Sequence, residues 1–297
     1  MHYEALLFER DAHDRFATIT LNRPEKLNSL NGVLLDELDH AVRSASVDPE
    51  INALILTGAG RAFTTGYDLN SDDFELDVEG WRENIRANCE RLATIWNAPI
   101  PIVAAVNGYA LAGGLELMMC CDLAIGAEDA KFGEPEVRHV SAPPSLMMPW
   151  LVPIRHTRHL MYTGDLIDGV EAARIHLINK AVPREQLMPE VRRLAAKLAR
   201  MPRPGIKFAK AALNHQQTTA GLHDGDARGR VDALDGLHAF ERQVALLAGA
   251  RQLARGQAGG AAQRDQCASG LPGQAHHEGQ LVGAGRAQQR HGRQSVA

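Results

Sequence analysis

The chain has 297 residues, a formal net charge of -4 and 23% charged residues, which is typical of a soluble globular protein with a sizeable core. No basic stripe indicates nucleic-acid binding, and no apolar run approaches the roughly 18 residues that would span a bilayer. The start, "MHYEALLFERDAHDRF", carries acids where a secretory signal would be basic and then apolar. We therefore expect a cytoplasmic protein that binds neither nucleic acid nor membranes.

Along the first 60 residues, short strands alternate with a helix. "YEALLFER" and "FATITLNRP" have the composition of two strands around the polar turn "DAHD". "NGVLLDELDHAVRSASVD" has apolar residues at helical spacing, and "INALILTG" is a buried strand that ends at a glycine. This alternation favours an α/β fold.

The same alternation continues to residue 136. "WRENIRANCERLATIWNAP" is typical of a helix, "PIVAAV" of a buried strand and "LELMMCC" of a buried helix, and "DLAIGA" and "AKFGEPE" are again typical of strands. From Thr157 onward the sequence is mainly helical, in "RHTRHLMYTGDL", "DGVEAARIHLI", "PEVRRLAAKLARMP" and "GIKFAKAALNHQQ".

The composition changes after the last of these helices, because no isoleucine follows Ile206 and no lysine follows Lys210. We predict a core domain over residues 1–200, a C-terminal helical region over 201–247 and a low-complexity tail over 248–297. The tail has no sustained apolar period, so we expect it to be disordered. Two alternatives stay open: a shifted reading frame that replaces the natural C-terminus, and an RNA-binding tail, against which the lack of lysine argues.

The four cysteines, Cys89, Cys120, Cys121 and Cys267, include no CxxC spacing. A disulfide framework and a zinc site are therefore disfavoured, and we expect reduced thiols and no bound metal.

Two segments combine a buried strand with a glycine-containing turn: "ALILTGAGRAFTTGYDL" and "IPIVAAVNGYALAGGLELMMCCDL". A glycine turn allows close approach of backbone to ligand, and unpaired N–H groups at a helix start point outward. Two such turns could direct two donors at one oxygen, as in an oxyanion hole. Neither the GxxxxGK[ST] loop nor, at these strand ends, the GxGxxG fingerprint of nucleotide-binding proteins occurs.

Two acids accompany these turns. Glu116 follows the glycine pair 113–114, and Glu136 follows Pro135 in "AKFGEPEVRHV". Two carboxylates can handle one water, since one accepts a proton and the other delivers one. By residue type alone, the neighbouring acids Glu128 and Glu134 are equally good candidates for this role.

Four motifs in order carry a family resemblance: "LNRPEKLNSL", "GRAFTTGYDL", "PIVAAVNGYALAGGLELMMCCDLAI" and "AKFGEPE". They resemble the enoyl-CoA hydratase/isomerase (crotonase) family over about residues 3–215. The resemblance implies a spiral of ββα units followed by a C-terminal helical region that mediates trimers or hexamers. It also implies an acyl-CoA thioester substrate, of which coenzyme A is a part, and no separate cofactor.

Carried over motif by motif, the family's oxyanion donors are the backbone N–H groups of Tyr67 and Gly113, and its catalytic acids are Glu116 and Glu136. The implied coenzyme A contacts are Lys26, Leu27, Thr65, Asp68 and Leu69. The resemblance thus implies hydration of a 2-enoyl-CoA. The alternatives are an enoyl-CoA double-bond isomerase and an inactive acyl-CoA-binding homologue.

The chain departs from the family pattern at two places. Tyr67 stands where the family often has alanine, so a phenol is expected to shape the acyl pocket. "VSAPPSLMMPW" replaces the glycine-rich loop that usually follows the second catalytic acid, and the segment is about one helical turn shorter. We expect the changed loop to affect the surroundings of the water more than the binding of the thioester.

Overall fold

The computed structural model describes residues 2–68, 78–139 and 147–222, which form ten β-strands and eight α-helices. The predicted boundary at residue 247 and the predicted tail over 248–297 lie outside the described residues, as does most of the predicted region over 201–247.

The larger sheet contains the buried strands that the sequence predicts. Its order is β1-β2-β3-β5-β7-β10, in which only the β1–β2 pair is antiparallel. Strands β3, β5 and β7 consist almost wholly of small and aliphatic residues, as expected of parallel strands that are covered on both faces. The strands are β1 (Leu6–Arg10), β2 (Phe16–Leu21), β3 (Ala53–Gly58), β5 (Ile102–Val106), β7 (Leu123–Ala127) and β10 (Lys180–Val182).

The smaller sheet consists of short strands in the order β4-β6-β8-β9. The strands are β4 (Ala62–Thr64), β6 (Tyr109–Leu111), β8 (Lys131–Gly133) and β9 (Ile167–Asp168). Strands β4, β6 and β8 run parallel, so their carboxyl ends lie side by side at one edge. The candidate site lies at this edge.

A repeated ββα unit connects the two sheets. Strands β3 and β4 lead into helix α2 (Val78–Trp96), and β5 and β6 lead into helix α3 (Gly113–Met119). The Asn107 side chain joins the turns of these two units, because its Nδ2 donates to the carbonyls of Gly58 at 2.8 Å and Gly60 at 3.0 Å. The alternation of strands and helices and the repeated ββα unit agree with the predicted α/β fold.

Two of the remaining helix ends have a clear physical cause. Asn31 Oδ1 caps α1 by accepting from the Leu34 N–H at 3.0 Å, and Gly164, with a φ of 65°, ends α5. These helices are α1 (Gly32–Val47), α4 (Met148–Leu151), α5 (Ile154–Thr163), α6 (Gly169–Arg174), α7 (Leu187–Ala199) and α8 (Arg203–Thr219).

The core is apolar and lies around the larger sheet, with α7 packed on β3 and β5 and α1 packed on β1 and β2. Helix α8 is attached mainly by polar contacts: Lys210 Nζ donates to Asp122 Oδ2 at 2.7 Å, and Asn214 Nδ2 donates to the Trp96 carbonyl at 2.9 Å. In the described ranges, no helix is both long and apolar enough to cross a bilayer.

The structure corrects the sequence prediction in three details. The helix predicted over "DGVEAARIHLI" ends at Arg174, since His176 has a φ of 65°, which is outside the helical region. Only Lys131–Gly133 of "AKFGEPE" is a strand, and a 3-10 turn, Pro135–His139, follows. The short strands β4, β6, β9 and β10 lie outside the segments that the sequence predicted as strands.

Candidate active site

The candidate site lies at the carboxyl ends of β4, β6 and β8. Because these strands are parallel neighbours, the segments that follow them meet at one edge of the smaller sheet. A hydrogen bond from the Ala112 N–H to the Gly133 carbonyl, 3.0 Å long, joins the segments after β6 and β8. Ligands of α/β proteins commonly bind at such strand ends.

The first donor turn follows β4 and is held by a bridge to Leu30. The Leu30 N–H donates to the Gly66 carbonyl, and the Asp68 N–H donates to the Leu30 carbonyl, each at 2.8 Å. Since hydrogen-bonding groups alternate along an extended segment, the N–H of Tyr67 points away from Leu30. Gly66 has a φ of 89°, a conformation that glycine adopts without strain.

The second donor turn follows β6 and starts helix α3. Ala112 has a φ of 53° and a ψ of -131°, which is a strained backbone for a residue with a side chain. Gly113 is the first helical residue, so its N–H has no acceptor within the helix. Within the described part of the chain, no backbone hydrogen bond uses the N–H of Tyr67 or of Gly113.

The two turns are in contact. A Cβ built on Gly66 would lie 3.1 Å from the Gly113 nitrogen and 3.0 Å from the Leu111 carbonyl oxygen. A side chain at position 66 would therefore push the two turns apart. The close approach brings the two unused N–H groups to one locality.

Glu116 lies on α3, one turn after Gly113, and its side chain is fully buried. Residues three apart occupy the same face of a helix, so the carboxyl group lies on the side of the helix that carries Gly113. This placement agrees with the prediction, made from the sequence, that a buried acid lies beside the glycine turn.

Glu136 lies on the 3-10 turn after β8 and is partly buried, whereas Glu134, directly after β8, is only 1% exposed. Burial raises the pKa of Glu136, and a hydrogen bond from the Glu134 side chain opposes this shift. Burial also raises the pKa of Glu134 well above its ordinary value, and the charges of Glu136 and Glu116 add to the effect. Three carboxyl groups thus interact at this site.

Tyr67 covers the second turn with its side chain. A Cβ at Gly113 would lie 2.5 Å from Tyr67 Cε2, so the ring rests directly on this glycine. The phenol oxygen is buried and has no hydrogen-bond partner. Burial and the nearby charge of Glu116 raise the pKa of this phenol well above its usual value, so it is a neutral donor.

The enoyl-CoA hydratase/isomerase family model matches residues 11–231. The chain belongs to the enoyl-CoA hydratase/isomerase family.

Its relatives and structural neighbours agree with this assignment. The crotonyl-CoA hydratase of Syntrophomonas wolfei is 37% identical over 223 residues, which cover 74% of this chain and 85% of the relative. The short-chain-enoyl-CoA hydratase of Clostridium acetobutylicum is 34% identical over 220 residues, or 72% and 82% of the two chains. The crystal structure of an enoyl-CoA hydratase/isomerase from Xanthobacter autotrophicus Py2 matches with a TM-score of 0.72 at 32% identity, over 82% of this chain and 88% of that one.

Four of the five positions that the family resemblance links to coenzyme A lie at or beside the first turn. Lys26 is exposed at the end of the 3-10 turn Pro24–Lys26, and Leu27 follows it with a φ of 52°. The Thr65 N–H donates to the Leu27 carbonyl at 3.3 Å, which joins these two segments. Leu69 lies outside the described residues.

Asp68 has a structural partner that the sequence prediction did not include. Arg23 Nη2 donates to Asp68 Oδ2 at 3.0 Å, and Ser29 Oγ lies 3.2 Å from the same oxygen. Arg23 and Asp68 therefore hold the 23–30 segment against the first turn of this family member. The charge of Arg23 is therefore paired within the protein, by the carboxylate of Asp68.

The sequence prediction also left Glu134 without a role, because an acid next to Glu136 in a chain is ordinary surface composition. The sequence feature that could have identified Glu134 is its position directly after Phe132, a buried strand residue, and Gly133. Of the other candidates, Glu128 is exposed. In the described ranges, no group of three or more histidine, cysteine or acidic side chains could hold a metal ion.

Proposed function

We propose that the protein hydrates the double bond of a 2-enoyl-CoA thioester, and catalyses the reverse dehydration. The observation that carries the proposal is the contact of two turns whose N–H groups, of Tyr67 and Gly113, have no acceptor, beside the buried acid Glu116. The names of the relatives, crotonyl-CoA hydratase and short-chain-enoyl-CoA hydratase, support the same reaction.

In this mechanism the two N–H groups donate to the thioester oxygen. They bind it more strongly as negative charge develops on that oxygen, which is the condition for catalysis. Polarisation of the thioester draws electrons from the β-carbon and prepares it for attack by water. Loss of one such donor typically lowers the rate by about 10²–10³-fold.

The two acids then divide the proton transfers. Glu116 accepts a proton from the water that attacks the β-carbon, and Glu136 delivers a proton to the α-carbon. The reverse reaction uses the same groups in opposite roles. This proposed reaction uses coenzyme A only as part of the substrate, with Lys26, Leu27, Thr65, Asp68 and Leu69 as its contacts, and needs neither a metal nor a redox cofactor.

A double-bond isomerase is the second candidate, because the family includes isomerases. An isomerase moves one proton and can work with one acid, which would be Glu136. The presence of both Glu116 and Glu136 favours hydration, since the hydroxyl group and the proton go to different carbons. An inactive acyl-CoA-binding protein is the third candidate.

The deciding experiment is incubation of the purified protein with crotonyl-CoA. A hydratase produces a thioester with the added mass of one water, together with a loss of enoyl absorbance. A 3-enoyl-CoA is tested in parallel for conversion to the 2-enoyl isomer at constant mass. Isomerisation without any hydration would contradict the proposal, and binding without either reaction would indicate the inactive homologue.

We also propose that the protein forms a homotrimer or hexamer in the cytoplasm. Helix α8 exposes large apolar side chains, with Phe208 at 71% and Leu213 at 61% exposure, and such surface is suited to burial between copies. Light scattering of the full chain tests this proposal. A single monomeric species at micromolar concentration would contradict it.

A further inference from the structure

The side chain of Tyr67 ends in a hydroxyl group for which the proposed mechanism has no role, because that mechanism uses only the backbone N–H of this residue. The phenol oxygen is buried and has no hydrogen-bond partner among the described residues. A buried hydroxyl group without a partner is unfavourable, and a phenylalanine would fill the same space without that cost. The hydroxyl group therefore points to an acceptor on a ligand.

Two other tyrosines of the chain show how this hydroxyl group differs. The Oη atom of Tyr3 lies 3.0 Å from Nδ1 of His40, so it has a protein partner. Tyr162, on α5, is 73% exposed, so its hydroxyl group can bind water at the surface. Tyr67 combines burial of the oxygen with the lack of a partner in the described part of the chain.

The packing of the Tyr67 ring places the hydroxyl group in the candidate site. A Cβ built on Gly113 would lie 2.5 Å from Tyr67 Cε2 and 3.3 Å from Tyr67 Cζ, the carbon that carries the hydroxyl group. The backbone N–H groups of the same two residues are the proposed donors to the thioester oxygen. A thioester held between these donors has its acyl group beside the ring, and the phenol oxygen is one bond beyond Cζ.

The chemistry of the phenol defines the kind of atom that it binds. Burial raises the pKa of Tyr67 well above its usual value, and the charge of Glu116 adds to this shift. The group therefore stays protonated at neutral pH and acts as a donor to an oxygen atom. The carbon atoms of a plain enoyl chain offer no such acceptor.

The charges around the site favour an uncharged acceptor. Glu116 and Glu134 are buried and Glu136 is half-buried, and all three follow the same group of strand ends. On neighbouring segments, Arg23 and Arg91 each pair with an aspartate, at 3.0 Å and 2.6 Å. A carboxylate on the acyl group would be repelled by the acids. A hydroxyl group can accept from the phenol and donate to an acid, whereas a carbonyl group can only accept.

We propose that Tyr67 is a specificity residue whose phenol donates to a hydroxyl group on the acyl chain, so the preferred substrate is a short, hydroxylated 2-enoyl-CoA. A short chain follows because the ring takes up space beside Gly113. The inference rests on the proposed function, which defines where the thioester binds. It adds to that function the chemical class of the acyl group.

The first test compares thioesters of equal shape. 4-Hydroxy-2-butenoyl-CoA has a hydroxyl group where 2-pentenoyl-CoA has a methyl group, and 5-hydroxy-2-pentenoyl-CoA and 2-hexenoyl-CoA form the same pair one carbon longer. In at least one pair, the parent should hydrate the hydroxylated thioester with a kcat/KM about 10- to 100-fold higher, since the other thioester leaves the phenol unpaired. A parent without this preference in either pair would overturn the proposal.

Tyr67→Phe removes the hydroxyl group and keeps the ring, so it should abolish the preference. Tyr162→Phe makes the same chemical change at an exposed position and is the matched control, which should keep the preference of the parent. Equal ratios of kcat/KM in the parent and in Tyr67→Phe would overturn the role of the phenol. A parent that prefers the matching carboxylate, 4-carboxy-2-butenoyl-CoA, would overturn the choice of an uncharged ligand.

The second test does not depend on turnover. Calorimetry measures binding of the saturated forms of the same four thioesters, which can be neither hydrated nor isomerised. The parent and Tyr162→Phe should bind a hydroxylated form about 10-fold more tightly than its partner, and Tyr67→Phe should not. If the parent shows this preference but hydrates no enoyl-CoA, the proposed function fails and the ligand class stands. If it hydrates crotonyl-CoA and shows no preference, this inference alone fails.

The third test addresses the unpaired hydroxyl group in the free protein. Because Tyr67→Phe removes a buried donor that has no acceptor, its Tm without ligand should be higher than that of the parent. Tyr162→Phe should leave the Tm unchanged. A lower Tm for Tyr67→Phe would show that the phenol already has a partner within the protein, which would overturn the inference.

Discussion

The ring of Tyr67 lies on the Cα of Gly113, and a Cβ at that glycine would come within 2.5 Å of Tyr67 Cε2 and 2.7 Å of Tyr67 Cδ2. This contact links the two donor turns through a side chain as well as through backbone. The ring therefore fills the space that a side chain at position 113 would need. The family's frequent alanine at the Tyr67 position would leave that space to an acyl group.

Gly113→Ala is expected to lower kcat/KM by about 10²-fold, because displacement of a site by about 1 Å can cost this much. The substitution retains the N–H and adds only a methyl group against Tyr67. In a Tyr67→Ala background the space is free, so the further change Gly113→Ala should cost little. The measurement is a double-mutant cycle on hydration of crotonyl-CoA.

Two other glycines provide controls for this cycle. A Cβ at Gly205 meets nothing within 4 Å, so Gly205→Ala should leave activity unchanged and stabilise α8 by about 0.4–1 kcal/mol. A Cβ at Gly114 would lie 2.4 Å from the Thr64 carbonyl oxygen, which cannot yield as a side chain does. Gly114→Ala should therefore stay impaired in the Tyr67→Ala background, and equal rescue of both variants would contradict the role of the ring.

Much of this arrangement could be predicted from local sequence. The continuous apolar runs of β3 and β5 and the glycines after them predict buried strands that end in tight turns, and both were confirmed. The helix over residues 31–48 was confirmed as well, since Asn31 caps it. These features depend on residues that are neighbours in the sequence, so a short segment of the sequence is enough to predict them.

The three-residue strands could not be predicted in the same way. Strands such as β4 and β6 are too short for a periodic pattern, and they pair because Gly108 allows a close approach of Arg61, whose carbonyl oxygen would lie 2.0 Å from an added Cβ. The burial of Glu134 depends in turn on its place directly after the end of β8. Such features depend on the pairing of segments that are distant in the sequence. The residue type at a single position does not reveal this pairing.

Glu116→Gln and Glu136→Gln should each lower the rate of hydration by about 10²–10⁴-fold, because each removes one proton-transfer group. Glutamine keeps the shape, so both variants should remain folded and bind acyl-CoA. The assay is hydration of a short 2-enoyl-CoA together with the shift of a 3-enoyl-CoA. If Glu116→Gln keeps the shift intact and the parent hydrates nothing, the enzyme is an isomerase with Glu136 as its base.

Lys210→Met should destabilise the fold by about 1–3 kcal/mol, because the buried Lys210 would lose its charged hydrogen bond to Asp122. Lys210 Nζ also contacts the Ile95 carbonyl at 3.3 Å, so the change loosens α8 from two elements at once. Urea unfolding measures the effect. Lys207→Met, an exposed lysine on the same helix, is the control and should change stability by less than about 0.5 kcal/mol. Similar losses in both variants would show that charge alone, and not this pair, is responsible.

Glu134→Gln should also change how stability depends on pH. The pKa of Glu134 is raised by burial and by its two acidic neighbours, so the folded protein binds more protons than the unfolded chain above the ordinary glutamate pKa of about 4.3. Stability therefore falls as pH rises from that value toward the raised pKa. Glutamine does not titrate, so the Tm of Glu134→Gln should exceed that of the parent by an amount that grows from pH 4.5 to pH 8 and is small near pH 4. Glu128→Gln should follow the parent, and a Tm difference for Glu134→Gln that stayed constant with pH would contradict the raised pKa of Glu134.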